Sequence, residues 1–350
     1  MNLHLFNNRA YIINTPSLKD SSVKFVKAIL DKLNYVIDIK QLESFDNALD
    51  YDTYSIKAKD GKFYLLKVSF DSSNKSLKKE SKILKQLKGF ACGKFIAFDK
   101  IKISEEIVCL LMQFPDSLCF DSLGRSFVIE NSEILFKTHK HLCENLKVKS
   151  SKTNYLKESF EEFNFPKFLD KKTKAAIDSY SDYKLFEKIY KDLVKDLKAH
   201  VPKTLKHKPC LGNMNISSIF LKENLIFFDK LEKCSNFHPL IDLCELILTL
   251  GLKDKQKNKL IKSFILVYND VNAVAFNEFF NFSIRKKLLE NMCIYLREVY
   301  YLNFFRAEKV TDNINVFYTN FKHFNKIPIF LDNKEFLVKS LTEPVLGAKA

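Results

Sequence analysis

A chain of 350 residues can bury about three-quarters of the surface its unfolded form exposes, so it needs no disulfide or metal staple. Hydrophobic residues at 46%, with 33 phenylalanines, exclude intrinsic disorder. The net charge of +15 is compatible with an anionic partner such as nucleic acid, a phosphorylated ligand or a membrane surface. Lys, Asn, Ile and Phe nevertheless rise together while Gly, Ala, Pro and Arg are scarce and Trp is absent, as AT-rich coding would give. No long basic block occurs, and pairs such as Lys78-Lys79 and Lys171-Lys172 lie scattered among acids. Only seven residues are glycine, where an average chain carries ~7%. A glycine-rich phosphate cradle has almost no material to be built from.

In chain order, residues 20–34 place Val23, Val26, Ile29, Leu30 and Leu33 at helical spacing. Two strands, 52–59 and 62–70, flank the hairpin dipeptide Asp60-Gly61. Residues 77–89 read as a helix ended by Gly89. Two more strands follow, GKFIAFDKI and EEIVCLLMQF, the second running to Pro115. From about residue 130 the pattern turns helical, at 131–147, 154–164, 170–199, 238–252, 254–269 and 284–308. One strand pair interrupts it, SIFLKE and LIFFDK, joined at Glu223-Asn224. A helix, a small antiparallel sheet with one embedded helix, and a larger helical part make an α+β bilobal plan. The segments are 1–34 (extension and helix), 35–115 (sheet lobe), 116–310 (helical lobe with the hairpin) and 311–350 (C-terminal extension).

The eight cysteines are dispersed, with no CxxC and no metal-ligand spacing, which suits a reducing compartment. The start, MNLHLFNNRAYIIN, lacks the layout of a secretory signal, and no apolar run reaches the length of a membrane span. A cytoplasmic protein without membrane attachment is expected, or a component of a virion assembled in a cytoplasm. The composition suits a phage or a bacterium of low GC content.

Two regions carry residues suited to chemistry. Lys67 lies near the end of the strand KFYLLKV, and Glu80 follows on the next helix. In kinase-like folds a strand lysine that contacts nucleotide phosphates is held by a helix glutamate. Later, KPCLGNMNISSIFLKENLIFFDKLEKCSNFHPLIDLCELI places Asp229 at the end of an apolar strand and Asp242 at the opening of an apolar helix. With LLMQF at 110–114 and EILFKTHKHL at 133–142, these segments resemble, in order and spacing over residues 35–310, the aminoglycoside phosphotransferase and choline kinase family. That family is the small-molecule branch of the protein-kinase-like fold. The resemblance implies a small antiparallel-sheet N-lobe and a mainly helical C-lobe. For the residues it implies nucleotide binding by Lys67 and Glu80, metal binding by Asp229, and structural roles for Gly212 and Asp242.

The departures from the family pattern bear on mechanism. The family's catalytic Asp falls on Asn213, whose amide positions a hydroxyl but cannot take its proton. The preceding family His falls on Leu211. The family's metal-binding Asn falls on Ser218, with Asn215 close enough to substitute. The phosphate loop falls within 43–54, which has no glycine and four acids, Glu43, Asp46, Asp50 and Asp52, that would repel a triphosphate. Plainer roles also fit single residues: Lys67 and Glu80 as an ion pair, Asp229 as a hairpin end, Asp242 as a helix N-cap, and His139 and His141 as packing groups. The expected function is a catalytically degenerate, pseudokinase-type phosphotransferase acting as a binding or structural component, with protein partners or self-assembly and no cofactor. The alternative is an active phosphotransferase using ATP and magnesium on a small alcohol. A basic nucleic-acid-binding module is the third.

Overall fold

The computed structural model describes residues 16–47, 51–71, 73–115, 118–147, 182–212, 214–296 and 317–346, with Leu156, Phe160, Phe163 and Ala175. The chain divides into two compact units. One holds the described residues up to Lys147 together with 214–234; the other holds those of 149–212 and 235–346.

The first unit opens with α1 (Pro16–Lys32) and a five-stranded antiparallel sheet. Its strands are β1 (Ile39–Asn47), β2 (Tyr51–Ala58), β3 (Phe63–Ser69), β4 (Lys94–Lys102) and β5 (Glu106–Phe114), in the order β1-β2-β3-β5-β4. Successive strand residues face opposite ways, so Tyr64, Leu66 and Val68 share a face with Ile107, Cys109 and Leu111 and pack with Val26, Ile29 and Leu30 of α1. Lys67 and its register partner Leu110 therefore point to the other face. The segment expected as a phosphate loop is mostly strand: β1 and β2 pair from Asn47↔Tyr51 onward, and residues 48–50 lie outside the described residues.

The helix α2 (Lys75–Leu87) connects β3 to β4. Asn74 caps it by accepting the Leu77 N–H at 2.9 Å. It ends in two left-handed residues, Lys88 (φ 51°) and Gly89 (φ 84°). Its buried stripe is Leu77, Glu80, Ser81, Ile83, Leu84 and Leu87, so Glu80 occupies a core position of an amphipathic helix.

Beyond β5, the short strand β6 (Leu118–Cys119) leads into α3 (Phe120–Glu130) and α4 (Ser132–Asn145). The sequence pattern missed α3, because Gly124 (φ 79°) breaks it and no continuous apolar stripe spans it. The expected hairpin forms as β8 (Ile219–Lys222) and β9 (Leu225–Phe228), with β6 adding a third strand. The end of β9 is tied to the loop after α2 by the Phe228 N–H, which donates to the Ala91 carbonyl at 2.8 Å. The hairpin, which lies within 116–310 by sequence, thus packs into the same unit as the sheet.

The second unit contains α5 (Tyr183–Ala199), the paired strands β7 (Lys208–Cys210) and β10 (Ser235–Phe237), α6 (Leu240–Leu250), α7 (Asp254–Val267) and α8 (Ala273–Tyr295). The sequence LIDLCELILTL is apolar all round, and α6 is accordingly buried on nearly every side. Ion pairs fasten α8 to its neighbours, Arg285 to Asp196 of α5 at 2.7 Å and Lys286 to Glu245 of α6 at 2.9 Å. The last helix expected, 284–308, begins eleven residues earlier, since Asn272 caps it through the Ala275 N–H. Residues 154–164 and 170–181 fall largely outside the described residues. The described part of the C-terminal extension is mainly packed helix: Phe317, Phe324 and Phe330 are buried against one another.

Candidate functional site

Within the first unit, β3, α2 and the end of β9 bring three charged residues together. Lys67 Nζ lies 2.8 Å from Glu80 Oε1 and 2.8 Å from Asp229 Oδ1. Lys67 and Glu80 are 0% exposed, and Asp229 is 8% exposed. The sequence separations of 13 and 162 residues are closed by the sheet-to-helix connection and by the hairpin tie at Ala91. The Leu231 N–H also reaches Glu80 Oε1, at 3.3 Å.

A single ammonium faces more carboxylates than it can balance. Asp229, Glu80 and Glu232 all act on Lys67 and hold its pKa well above the usual lysine value against the opposing effect of burial. Burial would raise the Asp229 carboxyl, but the Lys67 charge and hydrogen bond, with the Lys230 N–H, bring it below the usual range. Glu80 goes the other way: burial, with Glu232 and Asp229 nearby, pushes it up to about 8 despite Lys67. The surroundings thus favour the charged forms of Lys67 and Asp229 and the neutral form of Glu80. Glu80 Oε2 and Glu232 Oε2 are both buried without a hydrogen-bond partner. Glu232 is a member of this charge cluster that motif matching passed over; an acid three residues beyond Asp229 was the available signal.

The other residues matched to the family's metal site are engaged locally. Asn215 Oδ1 accepts the Ser217 N–H at 3.0 Å and the Ser217 hydroxyl at 2.5 Å. The Ser218 hydroxyl donates to the Asn215 carbonyl at 2.8 Å. These bonds close one short 3-10 turn, Ile216–Ser218. The Asp229 N–H donates to the Ser218 carbonyl at 2.9 Å, so Asp229 and Ser218 are backbone neighbours. The donor set does not fit magnesium as arranged, because the Asp229 carboxylate is on Lys67 and the Asn215 and Ser218 side chains cap a turn. As arranged, Lys67 presents no exposed surface to a nucleotide phosphate, and residues 43–54 hold no glycine. Asn213, matched to the catalytic Asp, lies outside the described residues.

In the second unit, Asp242 does not cap its helix as expected. The N-cap is Pro239, and Asp242 sits in the first turn of α6. Its carboxylate instead accepts the Leu211 N–H at 2.9 Å and the Gly212 N–H at 2.7 Å, with Gly212 left-handed at φ 76°. The acid thus fixes the backbone just before Asn213, as a brace for that loop would. In the first unit His139 is 0% exposed, packed edge-on to Phe228 and 3.6 Å from Cys143. His141 lies against Phe90.

Among the described residues, no helix is long and apolar enough to cross a membrane. No family model and no curated protein matches the sequence. Solved structures do. Choline kinase LicA from Streptococcus pneumoniae aligns at TM-score 0.58 and 13% identity, over 85% of this chain and 98% of its own. Amicoumacin kinase hAmiN, solved in complex with AMP-PNP and calcium, aligns at TM-score 0.57 and 11% identity, over 89% and 97%. A spectinomycin phosphotransferase in complex with ADP aligns at TM-score 0.52 and 14% identity, over 83% and 93%. The chain has the protein-kinase-like fold of choline kinase and the aminoglycoside phosphotransferases, with a small antiparallel sheet towards its N-terminus and a helical C-terminal region.

Proposed function

We propose that this protein is a catalytically degenerate kinase-fold protein that works by binding or as a structural component rather than by phosphoryl transfer. The observation that carries the reading is the sealed Lys67: its ammonium is fully buried and bonded to both Glu80 and Asp229. A lysine with no exposed surface presents no N–H to a phosphate, and Asp229 spends a carboxylate oxygen on that lysine rather than on a metal. The residue types agree. Asn213 replaces the family's proton acceptor, and loss of a general base alone typically costs about 10²–10⁴ in rate. Leu211 replaces its histidine, and the segment 43–54 has no glycine. The expected counterparts are protein partners or copies of the chain, in the cytoplasm, with neither nucleotide nor magnesium required.

One observation favours the alternative of an active phosphotransferase. The Lys67–Glu80 pair, at 2.8 Å, is the pairing that an assembled kinase site requires.

Thermal unfolding with and without magnesium-ATP, together with ADP release in the presence of alcohol-bearing acceptors such as choline or an aminoglycoside, separates the two. The degenerate reading expects no shift and no acceptor-dependent ADP. A tight site filled at about 100 times its Kd would add roughly 2.7 kcal/mol. Such a shift in the wild type, abolished in Asp229→Ala and accompanied by acceptor-dependent ADP release, would sink it.

A further inference from the structure

The burial of Lys67 has an identifiable cover. In an antiparallel pair, residues opposite one another project from the same face, and Thr53 of β2 lies opposite Lys67 of β3. Tyr51, two residues before Thr53, shares that face. Its ring centroid is 5.3 Å from Lys67 Nζ, within the range of a cation–π contact. Lys67 is thus enclosed by Glu80 from α2, by Asp229 from the end of β9 and by the Tyr51 ring from β2. The same charges act on Tyr51 in return. Burial raises the pKa of its phenol well above the ordinary value; Lys67 opposes that, and Glu232, Glu80 and Asp229 add to it. Tyr51 is the first residue of β2 and lies within 43–54, where the family resemblance puts the phosphate loop.

We propose that Tyr51 is an occluding side chain, whose ring fills the approach by which a phosphate-bearing ligand would reach Lys67. The inference rests on the degenerate-site reading above and adds that one removable side chain makes the block. A ring at this place does what a glycine-rich turn cannot. It covers the cation with its electron-rich face and excludes water and anions from it, leaving both carboxylate bonds intact. The hydroxyl is not required, since the face of the ring makes the contact. Removing the ring opens a path to a buried ammonium that accepts phosphate monoesters and polyphosphates.

The test uses the full chain at pH 9, to enlarge the neutral-amine fraction that imine formation needs, and pyridoxal 5′-phosphate, an aldehyde that carries its own phosphate, with borohydride reduction and peptide mass mapping of Lys67. The wild type and Tyr51→Phe are expected to leave Lys67 unmodified, whereas Tyr51→Ala should be modified at least tenfold more. Cys109, fully buried on β5 of the same sheet, serves as the folding control and should stay unreactive to a thiol reagent. If Cys109 reacts, the sheet has opened, and Tyr51→Val, which keeps a strand-favouring residue there, decides by the same criterion. Equal modification of Lys67 in a folded variant and the wild type overturns the proposal. Modification of wild-type Lys67 at the level of exposed lysines also overturns it. The two readings fail separately: acceptor-dependent ADP release by the wild type ends the degenerate reading, while the Lys67 ratio alone judges Tyr51.

Discussion

Glu80→Gln replaces a fully buried carboxyl, raised to about 8, with a neutral group of the same shape. In the unfolded chain the same carboxyl has its ordinary value near ~4.3. Between these two values the folded protein holds a proton that the unfolded chain has released, so stability falls as pH rises. The contribution is fully present below the unfolded value and is lost as pH passes the folded one. With those two values, linkage gives a loss of roughly 2 kcal/mol between pH 6 and 8, about 1.4 kcal/mol per unit at its steepest. Glutamine carries no such proton. The variant should therefore match the wild type only below about pH 4, and its stability advantage should widen by roughly 2 kcal/mol between pH 6 and pH 8.5. Urea unfolding followed by circular dichroism at pH 5.5, 6.5, 7.5 and 8.5 measures both profiles with a common slope. Parallel profiles for the two proteins would refute the assignment of the proton to Glu80.

Two further outcomes are expected. Lys67→Met leaves Asp229 and Glu80 buried without their cation and should cost about 3–5 kcal/mol in urea unfolding. Adding Glu80→Gln and Asp229→Asn to it should recover most of the loss, and a triple variant no more stable than the single one would show that the charges are not its cause. Asp242→Ala frees two buried amides, Leu211 and Gly212, at about 1–3 kcal/mol each, and hydrogen exchange should show those two amides losing protection.

Much of the frame was legible in the chain itself. Period-two and period-3.6 patterns mark β2, β3, α2, β4, β5 and the β8–β9 hairpin because each buries one face or stripe, and burial is what periodicity records. The charge constellation was legible only as a list of residue types. Lys67, Glu80 and Asp229 could be matched by order, but nothing in that order says that one ammonium serves both acids. Helix α3 was missed because a left-handed glycine interrupts it. An acid opening an apolar helix reads locally as a cap, while the resemblance implies a structural role for Asp242, and its bonds run to a loop thirty residues upstream.

The sequence alone determined the materials: too little glycine for a phosphate cradle, an amide at Asn213, a leucine at Leu211, and a lysine, a glutamate and an aspartate in kinase order. Those are facts of composition and local spacing, which survive without a fold. Only the tertiary structure decided that Lys67 is buried between Glu80 and Asp229, that burial raises the Glu80 carboxyl while Lys67 lowers that of Asp229, and that the Tyr51 ring lies beside the ammonium. Each of these depends on desolvation and on charges brought together across as many as 162 residues. Coulomb interaction and burial act through space, and no local pattern in the chain encodes them.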